Sequence, residues 1–231
     1  MKAYAIVINK HTVSENGFHE LQVSSKGVGN DFTIERFNAI EPPQVNALMK
    51  QKKLQWNYPD KGSVLDPWSE LRKTAYGGKD PLRRVACSLS HFLLWEKCVE
   101  SNEPILVLEH DAIFVRKPDI DSLVESQYGV IGINSPTNAT FSANRFDEMV
   151  QQGKENIQPV PMIASKEVPQ GLAGNSAYII KPFAAKHLIE LCYKYGLWPN
   201  DAIMCQQLCE FLGVTKTYYT RVQGLRSTTT L

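Results

Sequence analysis

The sequence predicts an α/β fold with a mainly parallel central sheet flanked by helices, and three stretches carry the prediction. After Pro104, Ile105-Leu106-Val107-Leu108 is an unbroken branched apolar run, the pattern of a strand buried on both faces. Just before it, Val85, Leu89, Phe92 and Cys98 or Val99 recur at helical spacing, so an amphipathic helix leads straight into that strand. The alternation returns at Ser176-Ala177-Tyr178-Ile179-Ile180, a strand followed by a helix that Pro182 opens. Strands alternating with helices bury their apolar faces as a layered α/β sheet. With 231 residues, 43% of them hydrophobic, the chain can fill one sizeable core, and we assign residues 1–231 to a single domain.

Composition narrows the partners. A formal net charge of +1 gives no global attraction to nucleic acid or anionic membrane, so either would have to be met by a local patch. Cys87, Cys98, Cys192, Cys205 and Cys209 make an odd count without the spacing of a disulfide framework, which points to a reducing cytosol. Cys205 and Cys209 could share a metal, yet no nearby His or Cys pair completes a tetrahedral set, and these thiols read as small core residues. The apolar run at Met1–Ile8 is too short for a secretory segment, and none approaches the roughly 20 apolar residues of a membrane span. The expectation is a soluble cytoplasmic protein, with attachment to a membrane surface as its variant.

In chain order, Lys2–Ile8 is the first strand; it ends at Asn9-Lys10, near the later Glu109. Residues 11–31 are polar and form a helix or loop of open boundaries, after which Phe32–Phe37 alternates like a strand. Residues 42–81 show no sustained period and read as a long loop or small helical insertion at the rim of a site, carrying Trp56, Tyr58, Trp68 and Tyr76. Between Lys50 and Arg84, nine Lys or Arg face four Asp or Glu. That is either a solvated surface whose aromatics cap the core or a binding surface. Asp80-Pro81 opens the next helix, which ends before Asn102. His91 on it reads as a hydrogen-bonded structural histidine, with a catalytic role as the alternative.

Beyond Asp111, Ala112–Val115 continues as a strand and Val130–Ile133 is another. Residues 137–169 look irregular and are longer than ordinary connections, so they read as a functional loop or mobile lid. Gln170–Asn175 has the small residues that let backbone approach a ligand closely. The Pro182 helix buries Leu188, Leu191 and Cys192 and is stopped by Gly196. Trp198-Pro199-Asn200-Asp201 begins a further helix burying Met204, Leu208 and Phe211, where Asp201 has a plain role as cap or dipole partner. A strand and a basic terminus with Lys216, Arg221 and Arg226 and no acid complete the chain.

The chemistry concentrates at Glu109-His110-Asp111. In open α/β sheets ligands bind outside the carboxyl ends of the strands, where Glu109 and Asp111 stand. Residues i and i+2 project to one side, so both carboxylates can reach one hard cation, which could also hold a diphosphate. The plain alternative is that the acids mark where a buried strand meets water.

Several segments, in order, resemble glycosyltransferase family 25, the lipooligosaccharide and collagen galactosyltransferases. They are Val7-Ile8-Asn9, Arg36-Phe37-Asn38-Ala39-Ile40, Ala86-Cys87-Ser88-Leu89-Ser90-His91 running on to Ile105–Asp111, Ala177-Tyr178-Ile179-Ile180 with Ala184-Ala185-Lys186, and Pro199 with Asp201. The resemblance implies a GT-A-like nucleotide-sugar-binding fold, a Mn²⁺ (or Mg²⁺) ion and a UDP-sugar donor. The family usually carries Glu-Asp-Asp where this chain has Glu109-His110-Asp111, a change that keeps the outer, metal-binding carboxylates. It usually has Gly-Glu-Ile-Gly where this chain has Arg83-Arg84-Val85-Ala86, which places two arginines at the rim of the pocket and points to a different acceptor, or donor sugar.

The resulting expectation is a metal-dependent hexosyltransferase moving a sugar from a UDP-sugar to an acceptor hydroxyl, with inversion. Glu109 and Asp111 position the ion, Asp201 is the candidate base, Asn9 contacts the nucleotide, and Arg83 and Arg84 pair with phosphate on either substrate. The expected acceptor is an anionic saccharide or glycolipid. The rivals are a transferase acting on modified DNA, suggested by the basic, aromatic stretch, and a non-catalytic module that kept the fold, suggested by His110 and the altered Arg83-Arg84 segment.

Overall fold

The computed structural model describes residues 1–77, 80–137, 139 and 142–225, so Lys79 and Arg226 of the basic stretches lie outside the described residues. The strands are β1 (Lys2–Val7), β2 (Ile34–Asn38), β3 (Ser63–Leu65), β4 (Arg72–Thr74), β5 (Ile105–Glu109), β6 (Ala112–Phe114), β7 (Val130–Gly132), β8 (Ile157–Pro159), β9 (Ala177–Ile180), β10 (Leu212–Thr215) and β11 (Thr220–Val222). The helices are α1 (Thr12–Gly27), α2 (Pro42–Lys52), α3 (Pro81–Ser101), α4 (Ile120–Glu125), α5 (Ala143–Gln152), α6 (Pro182–Tyr195) and α7 (Asn200–Ile203).

Seven strands form one sheet in the order β2-β1-β5-β9-β7-β10-β8. β9 is antiparallel to both its neighbours, β5 and β7, so those two run the same way; β1 and β2 are parallel to β5, and β10 is parallel to β7. Five strands therefore share one direction and only β9 and β8 oppose it, which is the mainly parallel sheet the sequence predicts. In the β1–β5 register Ile6 lies opposite Glu109, so the first strand does end beside the acidic one.

Alternating residues feed two cores. Tyr4, Ile6, Ile105, Val107, Tyr178 and Ile180 face Val45 of α2, Leu89, Phe92 and Trp95 of α3, and Leu188 of α6. Ala3, Ala5, Leu106, Leu108, Ala177 and Ile179 face Leu21 of α1, Leu123 of α4 and Phe114. The result is a helix–sheet–helix sandwich. α3 is its principal anchor: Leu89, Phe92, Leu94 and Trp95 are fully buried, each contributing about 1.5–3 kcal/mol. Its ends are those its sequence signals. Asp80 Oδ1 accepts from the Leu82 N–H at 3.0 Å with Pro81 in the first turn, and Asn102 closes the helix in the left-handed region at φ 51°.

Four expectations are corrected. Residues 42–81 are neither a bare loop nor one small helix: α2 is followed by the β3–β4 hairpin. Pro42 and Pro43 start α2 and the Glu41 N–H donates to Gln44 Oε1 at 2.8 Å, but Val45 is its only buried residue, so no apolar period marks it. The described part of 137–169 is not a structureless lid, since α5 buries Ala143, Phe146 and Val150 and β8 pairs with β10 at the sheet edge. Ala112–Val115 does not continue β5; β6 leaves the sheet and pairs with β11. The helix after Pro199 stops at Ile203, because Gly171 bridges to Cys205 across the path it would take. A Cβ on Gly171 would stand 2.3 Å from the Asp201 carbonyl oxygen and 2.8 Å from that of Met204, so this glycine serves the approach of protein backbone to α7 rather than of a ligand.

Candidate active site

A cleft of about 270 Å³ opens at the carboxyl ends of β1, β2 and β5, against the first turns of α3. One wall is apolar, formed by Ile6, Ile8, Ala39 and Ile40; the other end is polar, with Arg83, Cys87 and Glu109. Ligand clefts in α/β sheets lie at this edge because the strands point there and the helices start there.

Glu109 is held from inside the core. The Trp95 indole N–H donates to the Tyr178 hydroxyl oxygen at 3.0 Å, and that hydroxyl lies 2.8 Å from His91 Nδ1. His91 Nε2 in turn lies 3.3 Å from Glu109 Oε1. With Trp95 a donor only, Tyr178 spends its single proton on Nδ1, and Nε2–H donates to the carboxylate. His91 is fully buried, so the structural role read from the sequence extends to the site: it orients a half-exposed acid.

Asp111 lies in a different environment. Its Oδ1 is buried without a hydrogen-bond partner, and burial together with the neighbouring Glu109 carboxylate pushes its pKa up to about 7, against the lowering effect of the Ser176 hydroxyl. An orphaned carboxylate oxygen beside a second acid is what a hard divalent cation relieves, so Glu109 and Asp111 fit such an ion. Cys87, His91 and Glu109 also bring ligand atoms within 4.8 Å of one another. That trio suits a soft metal poorly, since burial holds the Cys87 thiol well above its ordinary pKa and both His91 nitrogens are engaged. His110 is buried and its pKa is lowered chiefly by that burial, so it adds no positive charge between the acids at neutral pH.

Asp201, distant in sequence, is not among the residues lining the cleft, but its neighbour Asn200 reaches Cys87, which is. The charges of Glu109, Asp201, Arg84 and Asp111 are all felt at the Cys87 thiol, and the Cys87 Sγ lies 3.9 Å from Asn200 Oδ1. Burial raises the Asp201 pKa, while the Tyr76 hydroxyl, donating to its carboxylate, and Arg84 lower it. The cap reading of Asp201 is not needed, as α7 has Pro199 at its cap position. Arg83 lines the cleft, with its Nε 3.8 Å from Asp80 Oδ2. Arg84 is turned the other way: it donates to the Gly77 carbonyl at 2.8 Å and lies 4.4 Å over the Tyr76 ring. Asn9 is exposed outside the cleft lining, where its Oδ1 accepts from Arg36 at 3.5 Å. Sequence reasoning placed Tyr76 at the rim of a site without linking it to Asp201, and missed Tyr178 as a site partner. A lone tyrosine inside the otherwise aliphatic run Ala177–Ile180 was a signal for Tyr178; the aromatic, basic stretch marks Tyr76, but nothing local ties it to Asp201. It also missed Asn175, whose side-chain nitrogen and oxygen are both buried without partners, next to the Ser176 carbonyl that accepts from the Glu109 N–H at 2.8 Å.

Residues 20–204 match glycosyltransferase family 25 (LPS biosynthesis protein). No curated protein matches the chain in sequence. Among solved structures, a Bacillus anthracis protein crystallised with sucrose and assigned as a glucose-1-phosphate thymidylyltransferase is 15% identical with a TM-score of 0.42, covering 97% of this chain and 88% of its own. An active-site mutant of LgtC is 7% identical, TM-score 0.43, covering 93% and 72%. Mouse xyloside xylosyltransferase 1 is 10% identical, TM-score 0.37, covering 90% and 79%. TM-scores this low leave the family match as the ground for assignment. That match takes in the acidic strand end, the helix that supports it and Asp201, and the chain belongs to glycosyltransferase family 25.

Proposed function

We propose that this glycosyltransferase transfers a hexose or related sugar from a UDP-sugar to a hydroxyl of an acceptor saccharide, with inversion and with Mn²⁺ (or Mg²⁺) held by Glu109 and Asp111. The observations that carry the reading are Glu109 on the cleft within ligand distance of Cys87 and His91, the orphaned Asp111 carboxylate oxygen two residues on, and the approach of α7 to Cys87 through Asn200, next to Asp201. The apolar wall of Ile6, Ile8, Ala39 and Ile40 suits a nucleobase, and Arg83 on the same cleft suits a diphosphate. Asn9 joins the nucleotide contacts by giving up its bond from Arg36. A bound divalent ion supplies charge stabilisation to the departing UDP. Asp201 takes the acceptor hydroxyl proton as the acceptor oxygen bonds the anomeric carbon and the bond to UDP breaks. Burial that raises its proton affinity suits it to this role, and Tyr76 orients its carboxylate.

The acceptor we propose is an anionic saccharide or glycolipid whose negative group is met by Arg83 and Arg84. A panel of UDP-sugars, assayed for UDP release and transfer with and without Mn²⁺, tests the whole reading. Asp201→Asn should lose transfer by about 10²–10⁴-fold, the range for a positioned base, while UDP binding in the presence of Mn²⁺ persists. Wild-type protein that neither binds UDP more tightly with Mn²⁺ nor releases UDP from any donor would instead be the non-catalytic module.

A further inference from the structure

The stretch between α2 and α3 is fastened to the segment that leads into Asp201. Leu197 N donates to the Gln55 carbonyl at 2.7 Å, Asn57 N to the Leu197 carbonyl at 3.1 Å, and Asn57 Nδ2 to the Tyr195 carbonyl at 2.7 Å. Beneath them Lys73 Nζ reaches both Asp66 Oδ1 at 2.7 Å and the Asn57 carbonyl at 2.8 Å, with the two charged side chains almost wholly buried. Gly196, at φ +86°, permits the approach, since a Cβ there would stand 2.5 Å from that of Asn57. Residues 55–76 thus form a wall whose position is set by the segment carrying the proposed base.

Tyr76 brings that wall to the reacting carboxyl, for its hydroxyl donates to Asp201 while the residue as a whole remains 37% exposed. Its ring is 5.8 Å from Tyr58, which is 6.2 Å from Trp56. Trp56, Asp60, Tyr76, Asp80 and Arg84 line a recess of about 30 Å³, room for one hydroxyl group or water. The Trp56 indole N–H is buried without an acceptor. An unpaired buried donor is costly to keep, and Trp56 is one of the residues lining the recess. Asp80 also lines the larger cleft, so the recess and the donor cleft share an edge.

We infer that this recess is the acceptor subsite: one hydroxyl of a pyranose ring accepts from Trp56 while the ring lies against Tyr76, beside Asp201. Aromatic faces with a few placed polar groups suit a saccharide, whose C–H face is apolar and whose rim is polar. Asp60 and Asp80 against Arg84 suit a neutral ring within the recess itself, and a charged substituent of the acceptor reaches Arg83 and Arg84 at its edge. The inference rests on the sugar transfer proposed above.

The test reads Trp56 directly. In the uniformly ¹⁵N-labelled whole chain saturated with UDP and Mn²⁺, the indole N–H resonance that disappears in Trp56→Phe is that of Trp56. Titration with methyl β-D-galactopyranoside or methyl β-D-glucopyranoside should move it while the indole signals of Trp68, Trp95 and Trp198 stay in place. In transfer to the same glycosides, Trp56→Phe should raise the acceptor KM by about three- to tenfold, one hydrogen bond's worth, with the donor KM within about twofold of wild type. A Trp56 resonance unmoved by both glycosides overturns the inference, and so does one moved only by a short oligothymidylate, which would make the wall a nucleic-acid surface. Failure of UDP to bind the wild-type protein in calorimetry with Mn²⁺ strikes instead at the donor reading, and the glycoside titration without UDP then still decides whether the recess takes a sugar.

Discussion

The cleft at the end of β5 and the wall of residues 55–76 face each other across Asp80, and they are held by different forces. The cleft stands on periodic apolar packing, with the buried face of α3 and the unbroken run Ile105–Leu108 of β5 beneath Glu109. The wall has little core of its own; a buried Lys73–Asp66 pair and backbone bonds to Leu197 and Tyr195 hold it. Apolar packing tolerates small changes at many positions, whereas an ion pair out of water depends on both partners being present. The cleft should therefore be robust, and the wall brittle.

The comparison can be broken at either end. On the cleft side, Asp111→Ala should reduce transfer by about 10³-fold or more, the order of one strong transition-state contact, while the melting profile stays cooperative. Undiminished transfer by that folded variant would remove Asp111 from metal binding. On the wall side, Lys73→Met strands Asp66 in the core and should cost about 3–5 kcal/mol in urea denaturation. Adding Asp66→Asn should recover part of it, and a Lys73→Met loss under about 1 kcal/mol would show the wall is held by something else.

A smaller effect concerns pH in chelator-treated protein. Asp111 has a folded pKa of about 7, raised above its ordinary carboxylate value. Its contribution is therefore fully present below that ordinary value and is lost as pH rises through the folded pKa. Each unit in that window should lower wild-type stability by at most about 1.4 kcal/mol. Asp111→Asn should flatten the slope in thermal melts; an unchanged slope would assign the titration elsewhere. The smallest effect is that of salt. If Arg83 and Arg84 read a negative group on the acceptor, raising ionic strength should raise the acceptor KM a few-fold, and a double Arg83→Ala, Arg84→Ala variant should lose that dependence. A steep slope would favour a polyanion such as DNA.

What the sequence made legible follows the same division. β5, α3, β9 and α6 each carry a sustained apolar period bounded by Pro, Asn or Gly, and all were placed to within a few residues. α2 was missed because a single buried valine gives no period, and α5 because prolines on its C-terminal side drew attention from Ala143, Phe146 and Val150. At the site, the end of β1 beside Glu109 follows from strand pattern, whereas Asp111 lies in the turn after β5, where the alternation that was to place both carboxylates on one side does not apply. The approach of Tyr76 to Asp201 depends on the path of the wall, which no local pattern encodes. The basic excess between Lys50 and Arg84 was misleading for a related reason. Lys52 pairs with Glu96 at 2.6 Å and Arg72 with Glu167 at 3.4 Å, both acids from outside the counted stretch, and Lys73 is spent in the core.

The chain from Trp95 through Tyr178 and His91 to Glu109 also bears on how this protein tolerates change. Trp95 and Tyr178 are fully buried, at positions where packing alone would ordinarily decide the residue. A repacked interface of that kind between α3 and the sheet could melt as late as the parent and pass any screen for folded, soluble protein. It would leave the imidazole without its partner and the carboxylate without its bearing. Core libraries of this enzyme therefore have to be selected for turnover, since selection for stability alone will not notice what these two positions carry.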